Sequence, residues 1–330
     1  MKTKLPFLLI IFSLFLAGCG GFALAAPEPT ATNSATASPL PPSATDAPSL
    51  TPTVTQTFTP SPVPTATWVF QGPDTVNVPI LLYHRIDVSP IGSRYYVTPE
   101  KFDEQMKLLH DWEYTTITTQ MLAEAITNGY PLPPRPIIIT FDDGHLDNYT
   151  AAYPIMEKYG FTGVLYIVSS YIGADQYMNA DQIIEMHNAG WEIGSHSVTH
   201  RDLNSLDPES QRYEIVESRE QLQNKLGVPV MTFAYPFGAN SGGVVDYVHF
   251  AGYIAGMGAT GFRWEQGTSN LFVLQRCEIK GDEDAKTFIR FLPWWGDPIF
   301  LPTDTPTPTL RPTRTPIPTY TQYPTKTPLP

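Results

Sequence analysis

Two adjacent carboxylates, Asp142 and Asp143, follow the apolar run PIIITF and precede Gly144. Side chains alternate along a strand, so both carboxylates can face one target only where the strand ends and the backbone turns, as a glycine permits. Adjacent carboxylates repel each other, and burying either one without a partner is costly. A bound cation would relieve both penalties. The pair therefore indicates a cation site at a strand end.

The segment SHSVTH supplies two further candidate ligands, His196 and His200, four positions apart. On one helical turn this spacing brings two imidazoles to the same face, from which both can reach a single ion. Two histidines and one carboxylate form a ligand set that leaves positions open for water and substrate. Each motif alone is common in proteins without metal, but both stand at the ends of successive predicted strands. Together they predict a metal site.

Short apolar runs alternate with amphipathic segments through the middle of the chain. Strands are predicted at VPILLYH, PIIITF, TGVLYIVSS, WEIGSHS, VMTFAYPFG, YIAGM and LFVLQRCEI, and helices at KFDEQMKLLHDW, TTQMLAEAIT, NYTAAYPIMEKYG, DQIIEMHNAG, PESQRYEIVESREQLQNKLG, VVDYVHFAGY and DEDAKTFIRFL. Apolar strands that alternate with helices indicate a parallel α/β sheet covered by helices. The number of units favours a distorted barrel over the alternative, an open doubly wound sheet. In both, polar residues at the carboxyl ends of the strands meet on one face.

The two ends of the chain differ from its middle in composition. Of the 330 residues, those at 20–67 and 301–330 are dominated by Pro, Thr and Ser, and such segments cannot bury enough apolar surface to offset chain entropy. Residues 68–300 are therefore predicted to form one domain, which we expect to be a monomer. The net charge of −12 argues against nucleic acid as a partner, because phosphate binding draws on clustered Lys and Arg.

Residues 1–19 have the pattern of an export signal, in which lysines precede the apolar run LPFLLIIFSLFLA. The run ends in LAGC, which resembles a bacterial lipobox and implies that Cys19 is lipidated and becomes the first mature residue. The alternative is an ordinary signal peptide cut near LALAAP. The lipobox predicts a protein outside the cytoplasm, anchored to the membrane by lipid or held at the cell surface. Cys277 lies in an apolar run and is expected to be a packed core residue rather than a nucleophile.

Together, TFDDG, SHSVTH, YPFG and YHRI resemble the polysaccharide deacetylase domain of carbohydrate esterase family 4, over most of the predicted domain. The resemblance implies a distorted (β/α) barrel of about seven strands. It also implies a divalent ion on Asp143, His196 and His200, with Asp142 as general base. The implied reaction removes N-acetyl or O-acetyl groups from a glycan by hydrolysis. Zn²⁺ is the expected ion, with Co²⁺, Ni²⁺, Mn²⁺ and Fe²⁺ as alternatives.

Further site residues follow from the same resemblance. In YPFG, the backbone N–H of Phe237 is the expected oxyanion donor, and Tyr235 is expected to contact substrate. Many family members carry, two residues before the proline of this motif, an arginine that supports the catalytic aspartate. Here that position is Ala234. Arg276 is the expected replacement, and the alternative interpretation is a salt bridge at the rim of the domain.

The general acid also departs from the common family pattern. Many members carry a late Leu-x-His segment, but no histidine follows Cys277 in this chain. His84, at the end of the first predicted strand, resembles the N-terminal histidine that serves as acid in the subgroup of poly-N-acetylglucosamine deacetylases. A structural histidine is the alternative. His145 is expected to be a bystander, since the ligand set is complete without it.

The resulting hypothesis is a metal-dependent hydrolase that removes acetyl groups from N-acetylglucosamine-containing polysaccharide outside the cytoplasm. Two alternatives stay open at this point. One is a catalytically silent glycan-binding lipoprotein on the same scaffold, motivated by the departures at Ala234 and at the late histidine. The other is a different barrel metallohydrolase, such as an O-acetyl xylan esterase or a cyclic amidase. Against the silent binder, both aspartates and both histidines are present, and a pure binder has no need for a base beside a metal.

Overall fold

The computed structural model describes residues 69–70, 72–259, 261 and 263–294. All of them belong to one compact unit. Cys19 and the segments 20–67 and 301–330 lie outside the described residues, so the lipobox, linker and tail stay predictions. Within the described ranges, no helix combines the length and the apolar character that crossing a membrane requires.

A parallel sheet forms the centre of the domain. In chain order its main strands are β1 Ile80–Tyr83, β2 Pro136–Asp143, β3 Val164–Ile167, β4 Glu192–Ser195, β5 Thr232–Ala234, β6 Ala255–Met257 and β7 Cys277–Glu278. They are arranged in space as β6-β5-β4-β3-β2-β1-β7, and all neighbours are parallel. The short strand Thr115–Thr116 also pairs with the start of β2. The carboxyl ends of the strands therefore share one face.

The sheet curls because the segment before β7 links its two ends. Met257 of β6 forms a parallel bridge with Leu274, and the N–H of Gly258 donates to the Leu274 carbonyl at 2.9 Å. A few residues later, Cys277 pairs with Leu81 of β1. The predicted distorted (β/α) barrel is confirmed, and the open sheet is wrong. The predicted strand LFVLQRCEI is regular only at β7, because this segment changes partner from β6 to β1.

Helices cover the outside of the sheet. They are α1 Pro99–Asp111, α2 Thr119–Asn128, α3 Tyr153–Lys158, α4 Ala180–Asn188, α5 Pro208–Arg212, α6 Ser218–Leu226, α7 Gly242–Phe250 and α8 Ala285–Ile289. Their ends follow the sequence signals: Thr98 caps α1, Gly129 ends α2 in the left-handed conformation at φ 71°, and Asn179 forms a capping box on α4. Smaller strand pairs are Val69–Phe70 with Pro131–Leu132, Thr75–Asn77 with Glu265–Gly267, and Arg85–Ile86 with Tyr96–Val97.

Two helices contain a π-helical turn that the sequence did not reveal. The predicted helix PESQRYEIVESREQLQNKLG is divided into α5 and α6 by the π turn Tyr213–Glu217. A second π turn, Asn148–Ala152, lies between β2 and α3. π turns occur frequently at functional sites, and both of these follow strands whose ends carry predicted site residues.

Alternation along β2 decides where its carboxylates lie. Ile137, Ile139 and Phe141 pack in the apolar cluster that contains residues of the surrounding helices. Ile138 packs in a second cluster, with residues of β1, β3, β5 and β6. Asp142 has the same parity as Ile138, so it faces the barrel interior. Asp143, at φ 72°, adopts the left-handed conformation in which the strand ends.

Cys277 is a packed core residue, as predicted. Its side chain is buried within the cluster that includes the helix residues. Burial, together with the charge of Glu283, raises the pKa of the Cys277 thiol to about 12. A thiol with so high a pKa is almost entirely protonated at neutral pH and is therefore a poor nucleophile.

Candidate active site

Asp142 is paired with Arg276 inside the barrel. Two guanidinium nitrogens of Arg276 donate to the two carboxylate oxygens of Asp142, each at 2.7 Å. Asp142 is 2% exposed and Arg276 is 0% exposed. Arg276 also donates to the Gly258 carbonyl at 2.6 Å and to the Thr140 hydroxyl at 3.2 Å. The interpretation of Arg276 as a rim salt bridge is wrong, and complete burial also rules out a direct contact with a polymer.

This ion pair decides the charge of Asp142. Burial favours the neutral acid, but the charge of Arg276 outweighs that effect, so the pKa of Asp142 lies below its ordinary value. The carboxylate is therefore ionised at neutral pH. Its Oδ2 lies 3.7 Å from Nε2 of His196. Asp142 thus stands beside the predicted ligands as a buried group that is able to accept a proton.

The three predicted ligands converge at the ends of β2 and β4. One ligand atom each from Asp143, His196 and His200 lies within 4.8 Å of the other two. Oδ1 of Asp143 is 3.2 Å from Nε2 of His200 and 3.6 Å from Nε2 of His196. Among the described residues this buried oxygen has no hydrogen-bond partner. An orphaned carboxylate oxygen between two imidazole nitrogens is the arrangement that a divalent cation would complete.

A neighbouring carbonyl orients one of the two imidazoles. Nδ1 of His196 lies 2.8 Å from the Ala234 carbonyl, so this nitrogen carries the proton and Nε2 presents its lone pair to the site. Burial lowers the pKa of His196, which favours the neutral ring that metal binding needs. The residues present therefore fit a divalent metal.

The expected helical turn between the two histidines is wrong. His196 and His200 flank an irregular loop after β4, in which Ser197 at φ 69° and His200 at φ 57° are left-handed. The Ser197 hydroxyl accepts the N–H of His200 at 2.9 Å. The ring centroids are 4.9 Å apart. A compact loop therefore brings the two rings together in place of a helix.

The chain resembles known deacetylases in sequence and in structure. Residues 129–256 match the family model described as polysaccharide deacetylase. YxkH of Bacillus subtilis (strain 168), provisionally named a polysaccharide deacetylase, is 32% identical to this chain over 180 residues. The alignment covers 54% of this chain and 63% of YxkH. The structure of the Streptococcus pyogenes deacetylase PplD in complex with acetate aligns with a TM-score of 0.62 and 26% identity, over 66% of this chain and 98% of that chain. Residues 129–256 thus match the polysaccharide deacetylase family.

A third relative names a specific polymer. The poly-beta-1,6-N-acetyl-D-glucosamine N-deacetylase of Staphylococcus aureus (strain MSSA476) is 27% identical over 161 residues, covering 44% of this chain and 54% of that protein. The chain thus spans only 63% and 54% of the length of these two curated relatives. The family match includes Asp142 and the two histidines, but His84 and Arg276 lie outside it.

His84 lies near the carboxylates of Asp142 and Asp143. It follows β1 directly, and its ring contacts that of Tyr95 at a centroid distance of 4.8 Å. Burial lowers the pKa of His84, although the charges of Asp142 and Asp143 oppose this effect. Its Nδ1 is buried and has no partner among the described residues. The ring therefore has a free nitrogen near the predicted base.

The YPFG motif contributes one exposed ring and one buried ring. Phe237 is left-handed at φ 56°, is 69% exposed, and its ring centroid lies 4.7 Å from that of His200. Tyr235 is fully buried; its hydroxyl donates to the Phe272 carbonyl at 2.8 Å, and its N–H donates to the Met257 carbonyl. The predicted substrate contact for Tyr235 is wrong, because neither donor is available to a ligand.

His145 is not a bystander. Its Nε2 lies 3.3 Å from Oδ2 of Asp143, the oxygen that does not face the two histidines. Its ring stacks on Tyr177 at a centroid distance of 4.8 Å. Gly144, left-handed at φ 84°, turns the chain so that His145 folds back beside Asp143. A histidine directly after this turn glycine was the signal available in the sequence.

Sequence reasoning also missed the contacts that fix the backbone around His84. Asp147 accepts from Nε of Arg85 and, at 2.7 Å, from the N–H of Ile86. The side chain of Asn148 donates to the His84 carbonyl at 2.9 Å. These partners come from segments 61 to 64 positions apart, so no local spacing could reveal them. They hold the backbone at His84 and directly after it.

Proposed function

We propose that this domain is a metal-dependent N-deacetylase of N-acetylglucosamine-containing polysaccharide that acts outside the cytoplasm. The observation that carries the proposal is the buried, unpartnered Oδ1 of Asp143 between two Nε2 atoms, next to the Asp142–Arg276 pair. Zn²⁺ is the expected ion, since two imidazoles and a carboxylate form a common open Zn²⁺ site. The name of the Staphylococcus aureus relative supports N-acetylglucosamine polymer as the substrate.

The chemistry divides among four parts of the site. A divalent ion held by Asp143, His196 and His200 would lower the pKa of bound water to about 7 and polarise the acetyl carbonyl. Asp142 accepts the proton of the attacking water, while Arg276 keeps this carboxylate ionised and oriented. The backbone N–H of Phe237 stabilises the developing oxyanion. His84 in its protonated form, which the nearby charges of Asp142 and Asp143 favour, donates a proton to the departing nitrogen.

The silent-binder alternative loses its main support. The arginine that is absent at Ala234, on β5, has a counterpart in Arg276, which directly precedes β7 and pairs with both oxygens of Asp142. A fully buried ion pair beside a set of potential metal ligands suits catalysis better than the recognition of a neutral sugar. Export and lipidation at Cys19 remain part of the proposal, and fractionating cells that express Cys19→Ala would test them.

Metal dependence is tested with Asp143→Asn. Acetate release from N-acetylglucosamine oligomers should be abolished by a chelator and restored by Zn²⁺. In Asp143→Asn, Zn²⁺ affinity measured by titration calorimetry should fall by at least about 100-fold, because a neutral amide replaces a charged ligand. Asp111→Asn, in an exposed i,i+4 pair with Lys107, is the matched control and should behave as wild type. Chelator-resistant acetate release would refute the proposal, and release only from acetylated xylan would favour the esterase.

His84 is tested by comparing two leaving groups. His84→Ala should lower kcat on N-acetylglucosamine oligomers by about 10²–10⁴-fold, because an amine leaves poorly without a proton. Hydrolysis of 4-nitrophenyl acetate, whose leaving group departs unprotonated, should change little. His110→Ala removes an exposed imidazole and serves as the control. Equal losses on both substrates would assign His84 a structural role.

A further inference from the structure

The loop between the two histidines is held by a carboxylate from another element. Glu214, only 2% exposed, lies in the π turn between α5 and α6. Its Oε2 accepts the N–H of Val198 at 2.9 Å and the N–H of Thr199 at 2.8 Å. Its Oε1 accepts the hydroxyl of Thr199. A single buried side chain therefore binds three donors of the loop that carries His196 and His200.

The opposite side of this loop is held by the chain that follows β3. The N–H of Ser169 donates to the Ser197 carbonyl, and the N–H of Ser170 donates to the Val198 carbonyl, both at 3.1 Å. The loop backbone is thus fixed from two directions. On the side of α5 and α6, the carboxylate of Glu214 accepts hydrogen bonds from the N–H groups of Val198 and Thr199 in the loop.

The conformation of the loop explains why such support is needed. Ser197 and His200 are left-handed although neither is glycine, and residues with a Cβ rarely adopt this conformation. Conformations of this kind persist only where the surroundings fix them. Without Glu214, the buried N–H of Val198 and the part-buried N–H of Thr199 would lose this acceptor, and the loop could relax. The two imidazoles would then lose their common orientation toward Asp143.

The π turn is stabilised in the position that brings Glu214 to the loop. A π turn inserts one residue, which changes the direction of the side chains that follow relative to those before it. The carbonyl of Ile215 accepts the hydroxyls of Ser218 at 3.0 Å and Tyr253 at 3.1 Å. Ser218 also accepts the hydroxyl of Ser195, the last residue of β4, at 2.7 Å. The wide turn is therefore tied to the strand that leads to His196.

We propose that Glu214 is a positioning residue that preorganises the loop from His196 to His200 for metal binding. It touches neither the ion nor the substrate, and it acts through the backbone of Val198 and Thr199. The inference rests on the proposed function only in stating that the loop serves metal binding. Its structural content, a loop held by Glu214, can be measured in the metal-free protein.

The test compares Glu214→Ala with Glu192→Ala in the full chain. Glu192 begins β4, and its carboxylate accepts the Thr232 hydroxyl at 2.7 Å and the Gln120 N–H at 3.1 Å. It is a hydrogen-bonded carboxylate at the opposite end of the same strand. Glu214→Ala should lower Zn²⁺ affinity by about 10–100-fold and alter the visible absorption spectrum of the Co²⁺ form. Glu192→Ala should lower thermal stability but leave both metal measurements unchanged.

Hydrogen exchange of the metal-free protein separates this inference from the proposed function. In Glu214→Ala, the amides of Val198 and Thr199 should exchange faster than in wild type, whereas Glu192→Ala should leave them protected. If wild type binds no Zn²⁺, the proposed function fails, and the exchange rates alone still decide the role of Glu214.

A second variant covers the case in which Glu214→Ala does not fold. Glu214→Gln retains an acceptor oxygen, but a neutral acceptor forms weaker hydrogen bonds than a carboxylate. It should therefore show faster exchange at the two amides and a smaller loss of Zn²⁺ affinity. Wild-type exchange in the substituted protein would overturn the inference, and so would a loss of Zn²⁺ affinity equal to that of Glu192→Ala.

Discussion

Replacing Asp142 with asparagine is expected to lower kcat for acetate release by about 10²–10⁴-fold while Zn²⁺ affinity stays near that of wild type. The amide keeps the shape of the side chain but cannot take a proton from the attacking water. Asp142 faces the barrel interior and pairs with Arg276 through both oxygens, and each oxygen keeps a second lone pair that can accept a proton. Turnover and calorimetric Zn²⁺ titration of the same preparation provide the two measurements.

Asp143→Asn is the matched comparison for this variant, because the two carboxylates are adjacent and the substitution is identical. The predicted pattern is loss of turnover alone at Asp142 and loss of both turnover and metal at Asp143. If Asp142→Asn lost Zn²⁺ as severely as Asp143→Asn, Asp142 would be a ligand. Unchanged turnover would remove its role as base.

Arg276→Met is expected to reduce the free energy of unfolding by about 3–5 kcal/mol and to abolish activity. Methionine fills much of the space of the guanidinium but leaves the carboxylate of Asp142 buried and unpaired. Denaturant unfolding followed by circular dichroism measures the loss. Lys107→Met breaks the exposed pair with Asp111 and should change the free energy of unfolding little, because solvent-exposed ion pairs contribute little to stability.

The cost of Arg276→Met should depend on pH in a defined direction. In wild type the pKa of Asp142 is lowered by Arg276 against the effect of burial, so the pair adds stability above the ordinary aspartate pKa and loses it in acid. In Arg276→Met, the charge and hydrogen bonds of Arg276 no longer oppose the effect of burial on the pKa of Asp142, and protonation relieves the unpaired charge. The stability gap between the two proteins should therefore be largest near pH 7 and narrow as the pH falls. A gap that is constant down to about pH 4, near the ordinary aspartate pKa, would mean that packing, not charge, is lost.

The architecture and the metal ligands could be predicted because they depend on local pattern. Apolar strands alternating with capped helices indicated the barrel, and the position of Asp142 and Asp143 at a strand end indicated convergence. The partner of Asp142 was harder to find, since Arg276 is 134 positions away. The one signal in the sequence was the absence of the family's arginine at Ala234, which calls for a replacement elsewhere in the chain. The Asp142–Arg276 contact itself required the closed barrel.

The supporting contacts could not be predicted, for physical reasons that differ among them. A π turn adds one residue to a helix and changes the period of its apolar residues very little. The sequence therefore did not indicate the position of Glu214. The left-handed backbone at Ser197 and His200 goes against the preference of residues with a Cβ, which is why a helical turn was expected instead. Tyr235 was misplaced because a motif reveals which segment lies at a site but not which side chains face inward.

The segment from Leu271 to Glu278 links β6 to β1 and also brings Arg276 to Asp142. A nascent chain that has emerged only as far as Met257 has the aspartates and the histidines, but its sheet is still open and the carboxylate of Asp142 lacks the counterion that Arg276 provides. The same stretch of polypeptide therefore closes the sheet and supplies the arginine that keeps Asp142 ionised. A copy that ends before Arg276 would lack both the link between β6 and β1 and the partner of Asp142.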